Sequence, residues 1–438
     1  MAILPRTAIV ALLLAAALVA FPGDLAGEFW WALLAVNALL LVVVAVDALA
    51  APGVDSFEVT RGMPAVVVAG QRASLSWAVR NRGSRRAWVS LADDLPPSLH
   101  AVTRRARVRL KGGATGTVTT SMEPSRRGRF PIDTLTVRVA GPLGLGARQR
   151  RVEVADVLRV HPPFRSRKDA ELRIRKARQL EIGLRSSRGI GGGSEFEQLR
   201  EYTADDEFRS IDWRATARSG TAIVRTYRPE RNQTVLVLLD SGRLTAARVG
   251  DVPRIEHEMD AVMMLGAVAT RLGDKVGLLV FDAVVRSIVP AARHHDQVSR
   301  MTEAMFDVQP ALAESDYRGA FTAMLARFRR RSLVVILTEL SEQAVEERLV
   351  PALPLLLKRH VVVVGAVRDP DLVEWSARAP VQAPDAYLRA AALTAQVERE
   401  RAAARLKGLG VTVIDAPPGH LASRLADTYL TVKSTGRL

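Results

Sequence analysis

Cysteine is absent from the 438 residues. This excludes a disulfide framework, thiol catalysis and cysteine-ligated zinc, and it is compatible with a reducing compartment. Catalytic signatures are missing as well. No Gly-x-Ser-x-Gly elbow is present. Glu256-His257-Glu258 lacks the second histidine of a zinc peptidase helix. Gly189-Ile190-Gly191-Gly192-Gly193-Ser194 lacks the Gly-Lys-Ser/Thr ending of a phosphate loop, and no convincing strand leads into it, so the dinucleotide fingerprint fails too. It reads as a flexible joint. His294-His295-Asp296 reads as the polar start of a helix. No pair of carboxylates stands out from the background of ion pairs, so no residue is assigned a catalytic role and the chain is not expected to be an enzyme.

The length implies two or three globular units. Apolar residues make up 48% of the chain and charged residues 25%, a globular composition with an added apolar segment. The formal charge of +16 is carried mainly by arginine. A basic surface suits nucleic acid, anionic lipid or an acidic protein. Interspersed acids and bases are equally the habit of an arginine-rich composition.

Two apolar runs open the chain, Thr7 to Pro22 and Phe29 to Ala51. A spanning helix needs about 17–25 residues. The second run fits, and the first fits once Ile3, Leu4 and a snorkelling Arg6 are included. A turn without Lys or Arg, Phe21 to Glu28, joins them, and Trp30 and Trp31 stand at an interface position. Arg6 and Arg61 flank the pair, so the positive-inside rule predicts a transmembrane hairpin over 1–52 with both ends cytoplasmic. The competing reading is a cleaved signal peptide, but no clean small-x-small site appears and a second run follows at once.

Over 53–162 the pattern has period two. Ala73 to Arg80, Thr115 to Thr120 and Leu135 to Val139 read as strands between Gly and Pro punctuation, predicting an antiparallel, Ig-like β-sandwich. Residues 163–190 form a basic linker. Its stretch 165–188 holds nine Lys or Arg and three acids. Asp169 to Leu184 could be helical there, with Leu172, Lys176, Leu180 and Leu184 on similar faces. A solvated connector is expected. Binding of anionic lipid or nucleic acid is the alternative, although no nucleic acid is expected.

Residues 191–232 hold an arginine–acid motif. Phe196, Leu199 and Tyr202 are expected on one helical side, with Ile211 and Trp213 as anchors. Glu195, Asp206 and Asp212 are expected to pair with Arg200, Arg209, Arg214 and Arg218, since a guanidinium binds carboxylate in two places. Such a network is either structural or a partner-docking surface, which then includes Trp213.

Residues 189–240 resemble the "domain of unknown function 58" family. The resemblance rests on the glycine-rich lead, Glu195-Phe196, Leu199-Arg200-Glu201-Tyr202, the Asp205-Asp206 turn, Arg209-Ser210-Ile211-Asp212-Trp213-Arg214 and Ala217-Arg218. Ala204-Asp205 departs from the family's usual Pro-Gly. Arg126 to Phe130 and Gly141 to Leu145 resemble that family's β domain. The resemblance implies a bacterial, membrane-anchored protein. It also implies an adaptor for a protein partner, a MoxR-type AAA+ ATPase. A metal-dependent hydrolase is a further alternative.

Residues 233–438 alternate apolar strands with helices: Thr234 to Leu239, Val276 to Phe281, Leu333 to Leu337, Val361 to Val364 and Val411 to Ile414, with helices at Arg254–Leu272, Asp316–Arg331 and Pro384–Gly408. This predicts an α/β domain with a mainly parallel, Rossmann-like sheet. It is similar to a von Willebrand factor A domain, whose Mg²⁺ site follows the first strand. Here that position reads Asp240-Ser241-Gly242-Arg243-Leu244. Neither expected serine is kept and Arg243 brings a positive charge. Asp240, Ser315, Asp316 and Glu339 are what remains of the ligand set, and a decayed site without a cofactor is expected.

Overall fold

The computed structural model describes residues 2–20, 28–186, 195–203, 206, 208–228 and 233–435. The chain divides into two compact units, one up to His161 and one from Pro162 onward.

The first unit opens with β1 (Ala2–Ile3), α1 (Pro5–Ala20) and α2 (Glu28–Ala50). The 23 residues of α2 contain neither Gly nor Pro. At 1.5 Å per residue they extend about 35 Å, enough for a bilayer core of about 30 Å. Among the described residues this is the one helix long and apolar enough to cross a membrane; the apolar part of α1 is only Thr7–Ala16. The expected turn at 21–27 lies outside the described residues, as does the side chain of Arg6. The second flanking charge is a correction to the sequence reading. Arg61 does not face headgroups; its guanidinium is fully buried between Asp93 and Asp156.

The remaining strands of this unit are β2 (Phe57–Gly62), β3 (Val66–Val68), β4 (Ala73–Asn81), β5 (Ala87–Asp93), β6 (Arg105–Leu110), β7 (Thr115–Met122), β8 (Gly128–Ala140) and β9 (Gly146–His161). One sheet has the order β2-β4-β7. The other has the order β1-β9-β8-β5-β6, with β3 also on β9. Alternate residues turn inward, Leu75, Trp77 and Val79 from β4 and Val89 and Leu91 from β5, so both sheets contribute to one core. The buried polar groups at its centre are satisfied. Asp93 accepts from Trp77 Nε1 at 2.7 Å and from Arg61 at 2.7 and 2.9 Å.

In the second unit α3 (Arg167–Ser186) leads to β10 (Glu195–Glu201), α4 (Trp213–Ser219) and β11 (Ile223–Arg228). The helix α3 is not a solvated connector. Ala170 and Ala177 are buried in the core of this unit, Ile174 packs on it, and Leu172 is exposed. Small residues at helical spacing allow that close approach. Arg173 forks onto Asp427 at 2.8 and 3.0 Å.

The main sheet comprises β12 (Thr234–Asp240), β15 (Lys275–Phe281), β16 (Val285–Ala292), β17 (Leu333–Leu337), β18 (Val361–Val367) and β19 (Thr412–Ala416), in the order β16-β15-β12-β17-β18-β19. A two-residue ladder, β13 (Arg248–Val249) and β14 (Val252–Pro253), stands between β12 and α5 (Arg254–Arg271). All pairs in the main sheet are parallel except β15 with β16. Both faces are covered, as a continuous apolar strand such as Val235–Leu239 requires. Val235, Val237 and Leu239 meet α5, α6 (Gln297–Met305) and α13 (Leu421–Ser434). Leu236 and Leu238 face α7 (Tyr317–Arg327), the short turns α9 (Val350–Ala352) and α10 (Pro354–Leu357), which follow α8 (Glu342–Ala344), and the end of α12 (Ala383–Gly408), which follows α11 (Pro370–Ala377). The first strand, β12, lies between β15 and β17. Connections therefore diverge beside its carboxyl end, where open sheets of this type bind ligands.

Candidate functional site

Asp240 ends β12 and is 1% exposed. Its carboxylate accepts from Gly242 N at 2.8 Å, Ser315 Oγ at 2.5 Å, Thr338 Oγ1 at 2.7 Å and Tyr317 Oη at 3.0 Å. Burial raises its pKa, and these hydrogen bonds oppose the rise. A Cβ on Gly242 would stand 2.0 Å from Ser315 Oγ, so the residue after Ser241 must be glycine for this closure.

Of the four candidate metal ligands, only Asp240 and Ser315 come together. The Asp316 carboxylate caps α7, accepting from Gly319 N at 2.9 Å. That is a helix N-cap role. Glu339 pairs with Arg399, and its other oxygen is 3.1 Å from Arg254 Nε. That second contact is ionic: its geometry is too oblique for a hydrogen bond. Arg399 also forks onto Asp415 at 2.9–3.0 Å and donates to Val367 O at 2.9 Å. A divalent cation needs several unprotonated oxygens converging on one point. Here one carboxylate is taken up by three hydroxyls and the other by two guanidinium groups. Among the described residues no three His, Asp or Glu side chains converge as metal ligands. The donor set does not fit a divalent ion.

Sequence reasoning missed the rest of this network. Glu258 is completely buried, and neither carboxyl oxygen has a hydrogen-bond partner. Burial first, then the charge of Asp240, raises its pKa well above the usual range. Its signal was a glutamate on an apolar helix stripe, with Ile255, Met259 and Val262. Arg399 and Asp415 carried no local signal.

The arginine–acid motif is built differently from the expectation. Residues 195–201 form a strand rather than a helix, with Leu199 opposite Arg225 and Arg200 opposite Val224. Pairing with β11 overrides the helical spacing of Leu199 and Tyr202. Arg200 clamps Asp206 with both terminal nitrogens, one at 2.7 Å. Thr203 adds its N–H at 2.9 Å and its hydroxyl at 2.8 Å. The Arg200 hydrogen bond, then these contacts, hold the Asp206 carboxyl down at about 2. Asp212 caps α4 through the N–H groups of Arg214 and Ala215 at 3.0 and 3.1 Å. Its ion partner is Arg225 at 2.6 Å, not Arg209, Arg214 or Arg218. The side chain of Glu195 lies outside the described residues, as do residues 187–194 and 204–205.

With Asp206 and Asp212 engaged internally, Arg209, Arg214 and Arg218 have no carboxylate partner among the described residues. Beside them Trp213 is not an anchor. It is 61% exposed, and Phe208 is 68% exposed. The two rings meet edge to face at 5.5 Å.

Residues 198–407 match the family described as protein of unknown function DUF58. The DUF58 match runs from Gln198 in β10 to Lys407 in α12, and so takes in both the arginine–acid motif and the strand ends around Asp240. Uncharacterised proteins of Mycobacterium bovis and Mycobacterium tuberculosis are 26% identical over 186 residues, 42% of this chain. The chain spans 58% of the length of those relatives. Among solved structures, the conserved hypothetical protein BatB of Bacteroides thetaiotaomicron is similar at 14% identity and TM-score 0.30, over 46% of this chain and 99% of that one. A protein of unknown function from Porphyromonas gingivalis is similar at 16% identity and TM-score 0.19, over 24% and 48%.

Proposed function

We propose that this chain is a membrane-anchored adaptor that holds a protein partner and carries out no chemistry of its own. The carrying observation is the exposed Phe208–Trp213 pair among Arg209, Arg214 and Arg218. Exposed tryptophan with arginine is the composition of interface hot spots, and the edge-to-face contact between the two rings, worth about 0.5–1.5 kcal/mol, leaves most of both ring surfaces in solvent. The strand-end crevice is a weaker candidate because Asp240 is sealed from solvent and Glu339 is neutralised.

In this reading α1 and α2 form the membrane hairpin, residues 53–162 an Ig-like sandwich, and residues from 233 a von Willebrand factor A-like domain without its metal. The soluble parts face the cytoplasm of a bacterial cell. The family resemblance makes a MoxR-type AAA+ ATPase the expected partner. The incorporation of α3 into a core weighs against a lipid- or nucleic-acid-binding linker. The test is affinity purification of the full-length protein from detergent-solubilised membranes, with and without ATP and Mg²⁺, followed by mass spectrometry. Recovery of an AAA+ ATPase supports the adaptor. A preparation free of any protein partner under both conditions contradicts it.

A further inference from the structure

Asp47 lies near the end of the apolar helix α2, yet it is buried. Its carboxylate accepts three backbone N–H groups of the turn between β8 and β9: Leu143, Leu145 and Gly146, each at 2.8 Å. Helix and turn touch backbone to backbone. A Cβ on Gly141 would lie 2.3 Å from Asp47 O, and one on Gly146 2.4 Å from Val44 O. Further ties fix the same place. Thr7 Oγ1 donates to Leu145 O at 2.6 Å, and Arg148 donates to Ala48 O and Leu49 O at 3.2 and 2.8 Å.

The turn is prepared for a medium that offers no hydrogen bonds. Gly141 N–H donates to Gly146 O and Gly144 N–H to Gly141 O. Asp47 takes the other three, and Pro142 has no N–H. Every N–H from 141 to 146 is therefore bonded within the protein, which lipid demands and water does not. No charged residue occurs between Arg138 and Arg148. What the turn presents outward is Pro142 and Leu143, the latter 61% exposed, in a shallow apolar cleft shared with Val42, Val46 and Ala50.

We propose that the turn Gly141–Gly146 enters the bilayer beside α2, with Leu143 in the acyl boundary and Asp47 as the clasp that holds it there. This rests on α2 crossing the membrane. The partner is the lipid surface itself: Arg138 and Arg148, the first charges on either side of the turn, are where headgroups would be met. It also accounts for an aspartate in a spanning helix, since that carboxylate faces three N–H groups rather than lipid.

The chain has no cysteine, so single substitutions accept a fluorophore cleanly. Leu143→Cys, Val46→Cys on α2 and Val102→Cys, which is 80% exposed near the opposite end of β5, are labelled in the full chain. Each is placed in vesicles of phosphatidylcholine and phosphatidylglycerol and quenched by nitroxide-bearing lipid or by aqueous iodide. The expected result is lipid quenching at 143 within about 2-fold of that at 46 and several-fold above that at 102. Asp47→Asn should at least halve it at 143 and leave 46 unchanged. Lipid quenching at 46 with iodide quenching at 143 overturns the proposal while α2 remains a membrane helix. Protection of 143 from both quenchers overturns it in favour of a protein covering. Absence of lipid quenching at 46 removes the membrane reading and the proposal together.

Discussion

Ser315 Oγ donates a 2.5 Å hydrogen bond to Asp240 and so ties the end of β12 to the loop ahead of α7. That bond, with those from Thr338 and Tyr317, occupies the carboxylate that a cation would need. Adding Mg²⁺ or Mn²⁺ to the full-length protein should therefore leave Tm unchanged. A ligand that binds only the folded state raises stability by RT ln(1 + [L]/Kd). A saturable rise in Tm with either metal would contradict the hydrogen-bonded reading of the site.

Arg399 joins Glu339 to Asp415. Arg399→Met removes the charge between two partly buried carboxylates, a change that costs about 3–5 kcal/mol for buried pairs. Chemical denaturation of the full-length protein in detergent measures it. A change under about 1 kcal/mol would mean that solvent reaches the pair.

Glu258 predicts a pH dependence of definite sign. Its carboxyl is raised in the folded protein by burial, then by Asp240. Above about 4.3, the ordinary glutamate value, the unfolded chain loses the proton while the folded chain keeps it. Stability should then fall as pH rises, until the folded carboxyl also ionises. Glu258→Gln should flatten that slope in denaturation curves at a series of pH values. An unchanged slope would show that another group is responsible.

Asp206 has the opposite sign. Clamped by Arg200, its folded pKa is about 2. Its contribution is complete above the ordinary aspartate value of about 3.9 and is lost as pH falls through about 2. Carboxyl NMR of the full-length protein should find the low value, and Arg200→Gln should return it towards the ordinary one. An Asp206 carboxyl that titrates normally with Arg200 in place would contradict the clamp.

Local patterns were the legible part. The alternation in Ala73–Arg80 and the apolar runs Thr234–Leu239 and Leu333–Leu337 show in the sequence because burial writes a period directly into side chains. The mixed α/β character and one long apolar N-terminal helix follow from them. What was hidden depends on residues far apart in the chain. Arg399 meets Glu339 across 60 positions and Asp47 meets Leu143 across 96. Arg61 has the sequence position of a topology signal, but Asp93 and Asp156 bury and pair its charge. The motif at 195–201 misled for a different reason: Leu199 and Tyr202 are spaced for one helical face, and pairing of 195–201 with β11 overrides that spacing.

The adaptor reading depends most on the Phe208–Trp213 surface. The direct measurement is a comparison of full-length wild type with Phe208→Ala/Trp213→Ala, both purified from membranes, by quantitative mass spectrometry of the proteins recovered. Because both rings are exposed, the double variant should lose little more than their mutual contact, about 0.5–1.5 kcal/mol, and stay folded. The prediction is that it loses the AAA+ partner at least tenfold. Equal recovery of the partner by a folded variant would contradict the claim that this surface is where the protein works.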